Sequence, residues 1–118
     1  MKNENSALVN NVKEEFVPIL EELFGDDLKA VILYGSAAKG TYVAGVSDVN
    51  LLLLTGTTHP EKIMQLGSRA KKQIKKHRLS LQFLTTTEFV NSTDVFPMEY
   101  LDIQNSHQLI WGHDAVKD

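Results

Sequence analysis

The stretch that decides the fold is residues 33–54, which read LYGSAAKGTYVAGVSDVNLLLL. An aliphatic segment ends at a Gly-Ser pair, a glycine-containing loop follows, and a second aliphatic segment opens with Ser-Asp. Short, continuously apolar runs bounded by glycine and polar residues are typical of strands buried on both faces. We therefore predict two central strands, at 28–34 and 48–55, in a sheet that is covered on both sides.

The loop between these strands carries groups suited to a phosphate. Gly35 lets a ligand approach the backbone closely, and the amides at the start of a following helix favour an anion, to which Ser36 adds a hydroxyl bond. Asp48 and Asn50 stand two apart on a strand, so their side chains project from one face roughly 6–7 Å apart. Oxygen ligands at this spacing suit a metal ion held over the phosphate.

Two motifs carry a resemblance to a known family, Gly35-Ser36-x-x-x-Gly40 and Ser47-Asp48-x-Asn50-Leu51. They resemble the signature of the DNA polymerase beta-like nucleotidyltransferase superfamily, especially its small minimal nucleotidyltransferases. The resemblance covers the first two strands and their connection tightly, and the later elements loosely. It implies that the Gly-Ser turn binds a triphosphate, that two aspartates bind magnesium, and that a third carboxylate activates an acceptor hydroxyl. The implied reaction transfers a nucleoside monophosphate from a nucleoside triphosphate to that hydroxyl and releases pyrophosphate.

The sequence departs from this pattern at two positions. Asn50 stands where the second aspartate is expected, and the strand at 79–84 offers Gln82, or with less support Ser80, in place of the third carboxylate. One aspartate is a poor magnesium site, because two-metal phosphoryl transfer needs several anionic ligands. Replacing acids by amides also reduces the repulsion of a triphosphate. We expect a nucleoside triphosphate to bind, with magnesium weakly held or absent.

Two functions of different classes follow from these residues. One is nucleotidyl transfer to a hydroxyl of a small molecule or protein. The alternative is a catalytically degenerate module that binds a nucleotide or a partner protein, as an antitoxin or a regulator does. Asp48 is the predicted catalytic residue and metal ligand. The predicted nucleotide and phosphate ligands are Gly35, Ser36, Lys39, Ser47, Asn50 and Gln82.

Structural roles are an alternative for the same residues. Asp48 could cap or brace its loop, and Asn50 and Gln82 could be hydrogen-bonded amides of the core. The basic run at 69–78 is more typical of a solvated helix face than of a nucleic-acid site, because no aromatic residues interleave with it. The four histidines lack metal-ligand spacing and are interpreted as surface or capping residues, namely His59, His77, His107 and His113.

The remaining periodicities predict a fold of the α/β class, α+β type, with a single mixed sheet and helices packed against it. Apolar residues at three- and four-residue steps predict one helix from Ser6 to Gly25 and another from Pro60 to about His77. Period-two alternation predicts a third strand, 79–84, with residues 79, 81 and 83 on one face. The last predicted elements are a short helix capped by Thr86 or Thr87 and ending at Val90, a stretch from Phe96 to about Asn105, and a strand at Gln108–Trp111.

Composition and net charge bear on the partners and the cellular compartment that we expect for the chain. It has 118 residues, no cysteine and a formal net charge of −3, so general attraction to nucleic acid is not expected. Its longest apolar run is far shorter than the roughly 20 residues of a membrane span. The N-terminus lacks the pattern of a signal peptide, and we therefore expect a cytoplasmic protein without membrane contact.

A weaker resemblance concerns the C-terminal part. Residues 92–102 and 109–114 are similar to the stretch that closes the nucleotidyltransferase domain in longer bacterial relatives, before a helical domain. We expect one domain over 1–118, either the N-terminal part of a longer protein or a small protein with a separate helical partner, as in toxin–antitoxin pairs. An exposed apolar patch that favours homo-oligomers is then expected from three aromatic residues, Phe96, Tyr100 and Trp111.

Overall fold

Four strands form one mixed sheet in the computed structural model, which describes residues 4–39, 46–91, 103 and 106–113. The strands are β1 (Leu28–Tyr34), β2 (Val49–Thr55), β3 (Leu79–Thr85) and β4 (His107–Gly112). Their order in the sheet is β3-β2-β1-β4; β1 is antiparallel to both its neighbours, whereas β2 and β3 are parallel. The helices are α1 (Glu4–Asn11), α2 (Val17–Phe24), α3 (Ser36–Lys39), α4 (Pro60–Arg69), α5 (Lys71–Lys76) and α6 (Thr86–Val90). The predicted single mixed sheet with packed helices is confirmed.

Both faces of the sheet are covered, as the continuous apolarity of the central strands predicts. One face packs under α1, α2 and α4, with Leu51 and Leu53 fully buried there. The other face buries Leu52 and Leu54 against Phe89 of α6 and against Ile103. None of the described helices is long and apolar enough to cross a membrane.

The first predicted helix is interrupted by a π-helical turn at Val12–Phe16, between α1 and α2. Pro18 lies at the start of α2 and has no amide to donate to the carbonyl four residues earlier, where its ring would also clash. The backbone widens before it, and the Val17 amide donates to the Val12 carbonyl five residues back. The helical region also begins at Glu4, two residues before the predicted start.

The predicted helix from Pro60 to about His77 is divided at Ala70 into α4 and α5. Ala70 is fully buried, and the hydrogen bonds from its amide to Leu66 and from the Ile74 amide to its carbonyl are both 2.9 Å long. The helix therefore bends at Ala70, while the helical hydrogen bonds continue through this residue. The lysines of the basic run are all exposed on α5, as expected for a solvated face: Lys71, Lys72, Lys75 and Lys76.

Two boundaries near the third strand differ from prediction. β3 extends to Thr85, and Thr85 is the residue that caps α6, not Thr86 or Thr87. Its hydroxyl accepts from the Glu88 amide at 3.1 Å, while the Glu88 carboxylate accepts from the Thr85 amide at 2.8 Å. This reciprocal capping box needs Glu three residues after the cap, which only Thr85 provides. The predicted stretch from Phe96 to Asn105 lies outside the described residues except for Ile103.

Candidate active site

A glycine turn at the end of β1 forms one wall of the candidate site. Gly35 has φ +81°, and a Cβ built on it would overlap the side-chain amide of Asn50. Its carbonyl accepts from the amides of Ala38 and Lys39, each at 3.1 Å, which closes the short helix α3. Ser36, at the start of α3, is half-buried. The structure thus brings together two predicted ligands, Gly35 and Asn50, at a place where only glycine fits.

A row of polar residues crosses all four strands beside this turn. Asn50 of β2 lies opposite Tyr34 of β1 and opposite Ser80 of β3, and Tyr34 lies opposite His107 of β4. Paired residues of neighbouring strands project from the same face. Tyr34 belongs to the cluster that includes Leu52 and Leu54, so the row is on the α6 side of the sheet.

Three members of this row were given little or no role by the sequence. Tyr34 was read only as the end of a strand, His107 as a surface or capping residue, and Ser80 as second to Gln82. Gln82 lies opposite Leu52, two pairs further along β3, while Ser80 lies opposite Asn50. Strand register depends on which strands pair and on how their apolar faces are buried together, and both are settled only in the folded chain.

Asp48, the predicted metal ligand, forms an ion pair. Its Oδ1 is 3.1 Å from a guanidinium nitrogen of Arg78, with the two side chains 64% and 46% exposed. The Arg78 carbonyl also accepts from the Val49 amide at 2.9 Å, so side chain and backbone join the starts of β2 and β3. This pairing gives Asp48 a bracing contact, and its roles as catalytic residue and metal ligand stay predictions. Arg78 was missed because it closes a run of basic residues that reads as solvated surface.

The magnesium site implied by the resemblance can be tested against these residues. No three His, Asp or Glu side chains among the described residues are grouped so as to hold a metal ion. Asp48 is paired with Arg78. Asn50 occupies the second carboxylate position, and the polar side chains that β3 offers on the face of Asn50 are only Ser80 and Gln82. Magnesium prefers carboxylates and phosphates in octahedral geometry, so the described part of the site does not fit a two-ion centre.

Two other predicted phosphate ligands also belong to the described residues. Lys39 is exposed at the end of α3, and Ser47, which precedes Asp48, is half-buried.

A separate cleft lies at the opposite end of β2, where its lining residue Thr55 is about 17 Å from Asn50 at the rise of a strand. It encloses about 160 Å³ and is lined in part by Phe24, His59 and Phe83. The polar groups beside it are satisfied internally, because one oxygen of Asp27 accepts from His59 at 2.5 Å and from the amide and hydroxyl of Thr57 at 3.0 and 2.9 Å. This cluster ties the loop before α4 to the turn before β1, and we assign it a structural role.

The Asp27 cluster predicts a pH dependence of stability. The hydrogen bond from His59, with further ones from Thr57, lowers the pKa of Asp27 from 3.8 to about 2. A carboxyl whose folded pKa is below its unfolded one stabilises the fold above about pH 4, and this contribution is lost as the pH falls toward 2. Asp27→Asn should therefore cost about 1–2 kcal/mol of unfolding free energy at pH 7. It should also flatten the profile between pH 4 and 2.

Urea unfolding at several pH values measures both effects. Asp26→Asn is the matched control, because it removes a neighbouring exposed carboxylate outside this cluster, and it should change stability little. Equal losses in the two variants would contradict the structural role of Asp27.

Trp111, one of three residues expected in an exposed aromatic patch, is half-buried and packs against the core. Trp111 of β4 lies opposite Val31 of β1, so its side chain is on the face of the sheet that α1, α2 and α4 cover. Phe96 and Tyr100 lie outside the described residues. The patch and the self-association derived from it stay predictions.

Comparison with known proteins agrees with this architecture. The family model described as nucleotidyltransferase domain matches residues 13–110. Over 50 residues the chain is 47% identical to a Methanocaldococcus jannaschii protein named as a candidate protein adenylyltransferase, a match that covers 42% of this chain and 33% of the relative. The matched region therefore spans about a third of that relative's length.

Two solved structures have a similar fold. Spectinomycin adenyltransferase from Enterococcus faecalis, solved with ATP and spectinomycin, has a TM-score of 0.67 and 13% identity over 95% of this chain and 58% of that one. A chain of the Shewanella oneidensis complex between a tri-AMPylated HEPN toxin and MNT antitoxin has a TM-score of 0.51 and 13% identity, over 92% of this chain and 73% of that one. At these identities the likeness is one of fold.

Proposed function

Since this chain belongs to the nucleotidyltransferase domain family, we propose that it binds a nucleoside triphosphate, with ATP as the first candidate, at the Gly35 turn. The observation that carries the proposal is this turn, whose φ of +81° and contact with the Asn50 amide leave no room for a side chain. The same contact packs the Asn50 amide, whose NH2 group can donate to phosphate oxygens, directly against the turn. ATP is named first because the structurally similar spectinomycin adenyltransferase was solved with it.

The charges at this site also favour an anion. Asn50 offers an amide in place of the expected carboxylate, and the charge of Asp48 is balanced by Arg78 at 3.1 Å. Ser80 opposite Asn50 adds a hydroxyl without a charge. Each carboxylate that is absent removes a repulsive contact with the triphosphate, so binding does not require a cation to screen several acids.

Calorimetric titration with ATP, GTP, CTP and UTP tests the proposal. We expect saturable one-site binding of at least one triphosphate, and weaker binding of the matching monophosphate, because the turn contacts phosphates. Absence of binding by all four, with and without magnesium, would reject the nucleotide site.

A second candidate function is adenylyl transfer to a protein hydroxyl. The named activity of the Methanocaldococcus relative and the AMPylated toxin in the Shewanella complex favour it. In this reaction the hydroxyl oxygen forms a bond to the α-phosphorus, the bond to the bridging oxygen of pyrophosphate breaks, and the hydroxyl proton passes to a base or to water. Asp48 is the one carboxylate within residues 33–54, and we propose it as the catalytic residue of this reaction.

Asp48→Asn is expected to lower any such transfer at least tenfold, because the side chain keeps its shape and loses its charge. Transfer is measured as radiolabel moved from α-labelled ATP onto proteins of a cell extract, with γ-labelled ATP as the control for phosphorylation. Asp26→Asn is the matched acidic control and should transfer as the unmodified protein does. Equal labelling by Asp48→Asn would exclude Asp48 as a catalytic residue.

We further propose that a second protein or domain completes the functional unit. The alignment of 95% of this chain to only 58% of spectinomycin adenyltransferase supports an additional region in the same polypeptide, and the complex of toxin and antitoxin from Shewanella supports a separate protein. The sequence prediction of a helical partner is consistent with either arrangement.

A further inference from the structure

Arg78 occupies a backbone position that normally carries glycine. It follows His77 at the end of α5 and has φ +54°, and it is the one non-glycine residue of the described ranges with a positive φ. Helices commonly end with a left-handed residue at this point, and glycine is preferred there because it has no Cβ. At this φ a residue with a Cβ is less stable than glycine, so the arginine side chain is present at a cost in conformational energy.

Contacts on both sides fix the place of the Arg78 backbone. The preceding residue, His77, lies 3.2 Å from the Glu15 carboxylate in the π-helical turn. The Arg78 carbonyl accepts from the Val49 amide at 2.9 Å. The guanidinium consequently lies at the start of β2, where one nitrogen is 3.1 Å from Asp48 Oδ1.

This position is next to the proposed nucleotide site. Asp48 and Arg78 immediately precede Val49 and Leu79, which are paired in the parallel register of β2 and β3. The following pair is Asn50 and Ser80, and the Asn50 amide is the group packed against Gly35. The fixed positive charge therefore lies two residues along the strands from the Asn50–Ser80 pair, with one strand pair between them.

The guanidinium retains binding capacity while it is paired with Asp48. It has five N–H donors, of which one carboxylate takes at most two in a bidentate pair. The Arg78 side chain is 46% exposed, so a ligand can reach it. Guanidinium groups suit phosphate oxygens because their fork of donors matches two oxygens at once.

We infer that Arg78 is the resident cation of this site and binds the phosphates of the nucleotide in place of a divalent ion. Asp48 is then its positioning residue, since its carboxylate holds the guanidinium at the start of β2. The inference rests on the proposed nucleotide binding and adds to it the group that neutralises the phosphates. It follows that nucleotide binding is independent of magnesium.

The test is calorimetric titration with ATP, in magnesium and in EDTA, of the unmodified protein and three variants. Arg78→Gln removes the charge and keeps most of the length. Arg78→Gly removes the side chain at a φ that glycine prefers, so it should fold even if the glutamine variant does not. Arg69→Gln is the matched control, because Arg69 forms a similarly exposed ion pair, 2.7 Å from Glu22.

The unmodified protein should bind ATP with less than about a threefold change in Kd between magnesium and EDTA. Both Arg78 variants should weaken binding in EDTA at least tenfold, the loss expected for one charge-assisted contact. Magnesium should partly restore binding to them, because an ion held by the ATP phosphates supplies part of the positive charge that the variants lack. Arg69→Gln should stay within twofold of the unmodified protein.

Thermal unfolding separates binding from a merely structural role. Arg78→Gly should unfold at an unchanged temperature or up to about 5 °C higher, because the strained φ is relieved, and yet bind ATP less tightly. If ATP binds but the Arg78 variants match the unmodified protein, or if the unmodified protein requires magnesium, the role of Arg78 is wrong and the nucleotide site stands. If the unmodified protein binds no nucleotide, both proposals fail.

Discussion

Replacing Gly35 by alanine should destabilise the protein by about 2–4 kcal/mol and abolish ATP binding. A left-handed φ of +81° costs a residue with a Cβ about 1 kcal/mol or more. The new methyl group would also overlap the Asn50 amide, and forced repacking of this kind costs about 1–3 kcal/mol. Either response, a shift of the turn or of Asn50, moves a proposed phosphate ligand. Urea unfolding and ATP titration measure the two effects.

Gly67→Ala is the matched control for this prediction. Gly67 is exposed inside α4, and nothing lies within 4 Å of a Cβ built there. Alanine should stabilise this helix by up to about 1 kcal/mol and leave ATP binding unchanged. The double variant Gly35→Ala with Asn50→Gly removes the overlap and should recover part of the lost stability. If Gly35→Ala bound ATP normally, the nucleotide site would have to lie elsewhere.

The second large effect is a gain of magnesium dependence when the missing acids are restored. The variant Asn50→Asp, Ser80→Asp and Arg78→Gln places two new carboxylates opposite each other, near Asp48, and removes the resident cation. Each added like-charge contact with a triphosphate at about 5 Å costs roughly 3 kcal/mol before screening and about 1 kcal/mol after it. The two acids should thus weaken ATP binding in EDTA by about 30-fold beyond the loss caused by Arg78→Gln alone. Magnesium should reverse this loss, because the three carboxylates now form a site for it.

A matched variant tests which residue of β3 faces the site. Asn50→Asp, Gln82→Asp and Arg78→Gln carries the same charges, but position 82 lies opposite Leu52 and not opposite Asn50. We expect a smaller dependence on magnesium from it than from the Ser80 variant. The reverse order, measured by the same titrations, would show that Gln82 is the equivalent of the third carboxylate.

The central part of the fold could be predicted from the sequence because its causes are local. The run at 28–34 is continuously apolar and ends at a glycine, and it forms β1 with those bounds. The aliphatic run after Asp48 forms β2 one residue later than predicted. Both runs need cover on two faces whatever surrounds them, so their pattern predicts buried strands. The Gly-Ser and Ser-Asp motifs on either side of the loop likewise predicted where the site lies.

Details of the helices depended on interactions that periodicity does not describe. The missing amide of Pro18 produces a π-helical turn before α2, although the apolar pattern continues through it. The cap of α6 is Thr85 because its hydroxyl and the Glu88 side chain satisfy each other's amides. The spacing of apolar residues predicts neither the hydrogen bonds of the π-helical turn nor those of the cap.

The composition of the site was decided by the tertiary structure. Ser80, Tyr34 and His107 join Asn50 in one row only because three strand pairs adopt a particular register. Arg78 reaches Asp48 across 30 residues of sequence because β2 and β3 run in parallel from the same end of the sheet. The sequence alone determined the two buried strands, the glycine turn and the loss of carboxylates, since these depend on residue type. Which side chains face one another depends on strand pairing and on the hydrophobic packing that fixes its register, and these exist only in the folded chain.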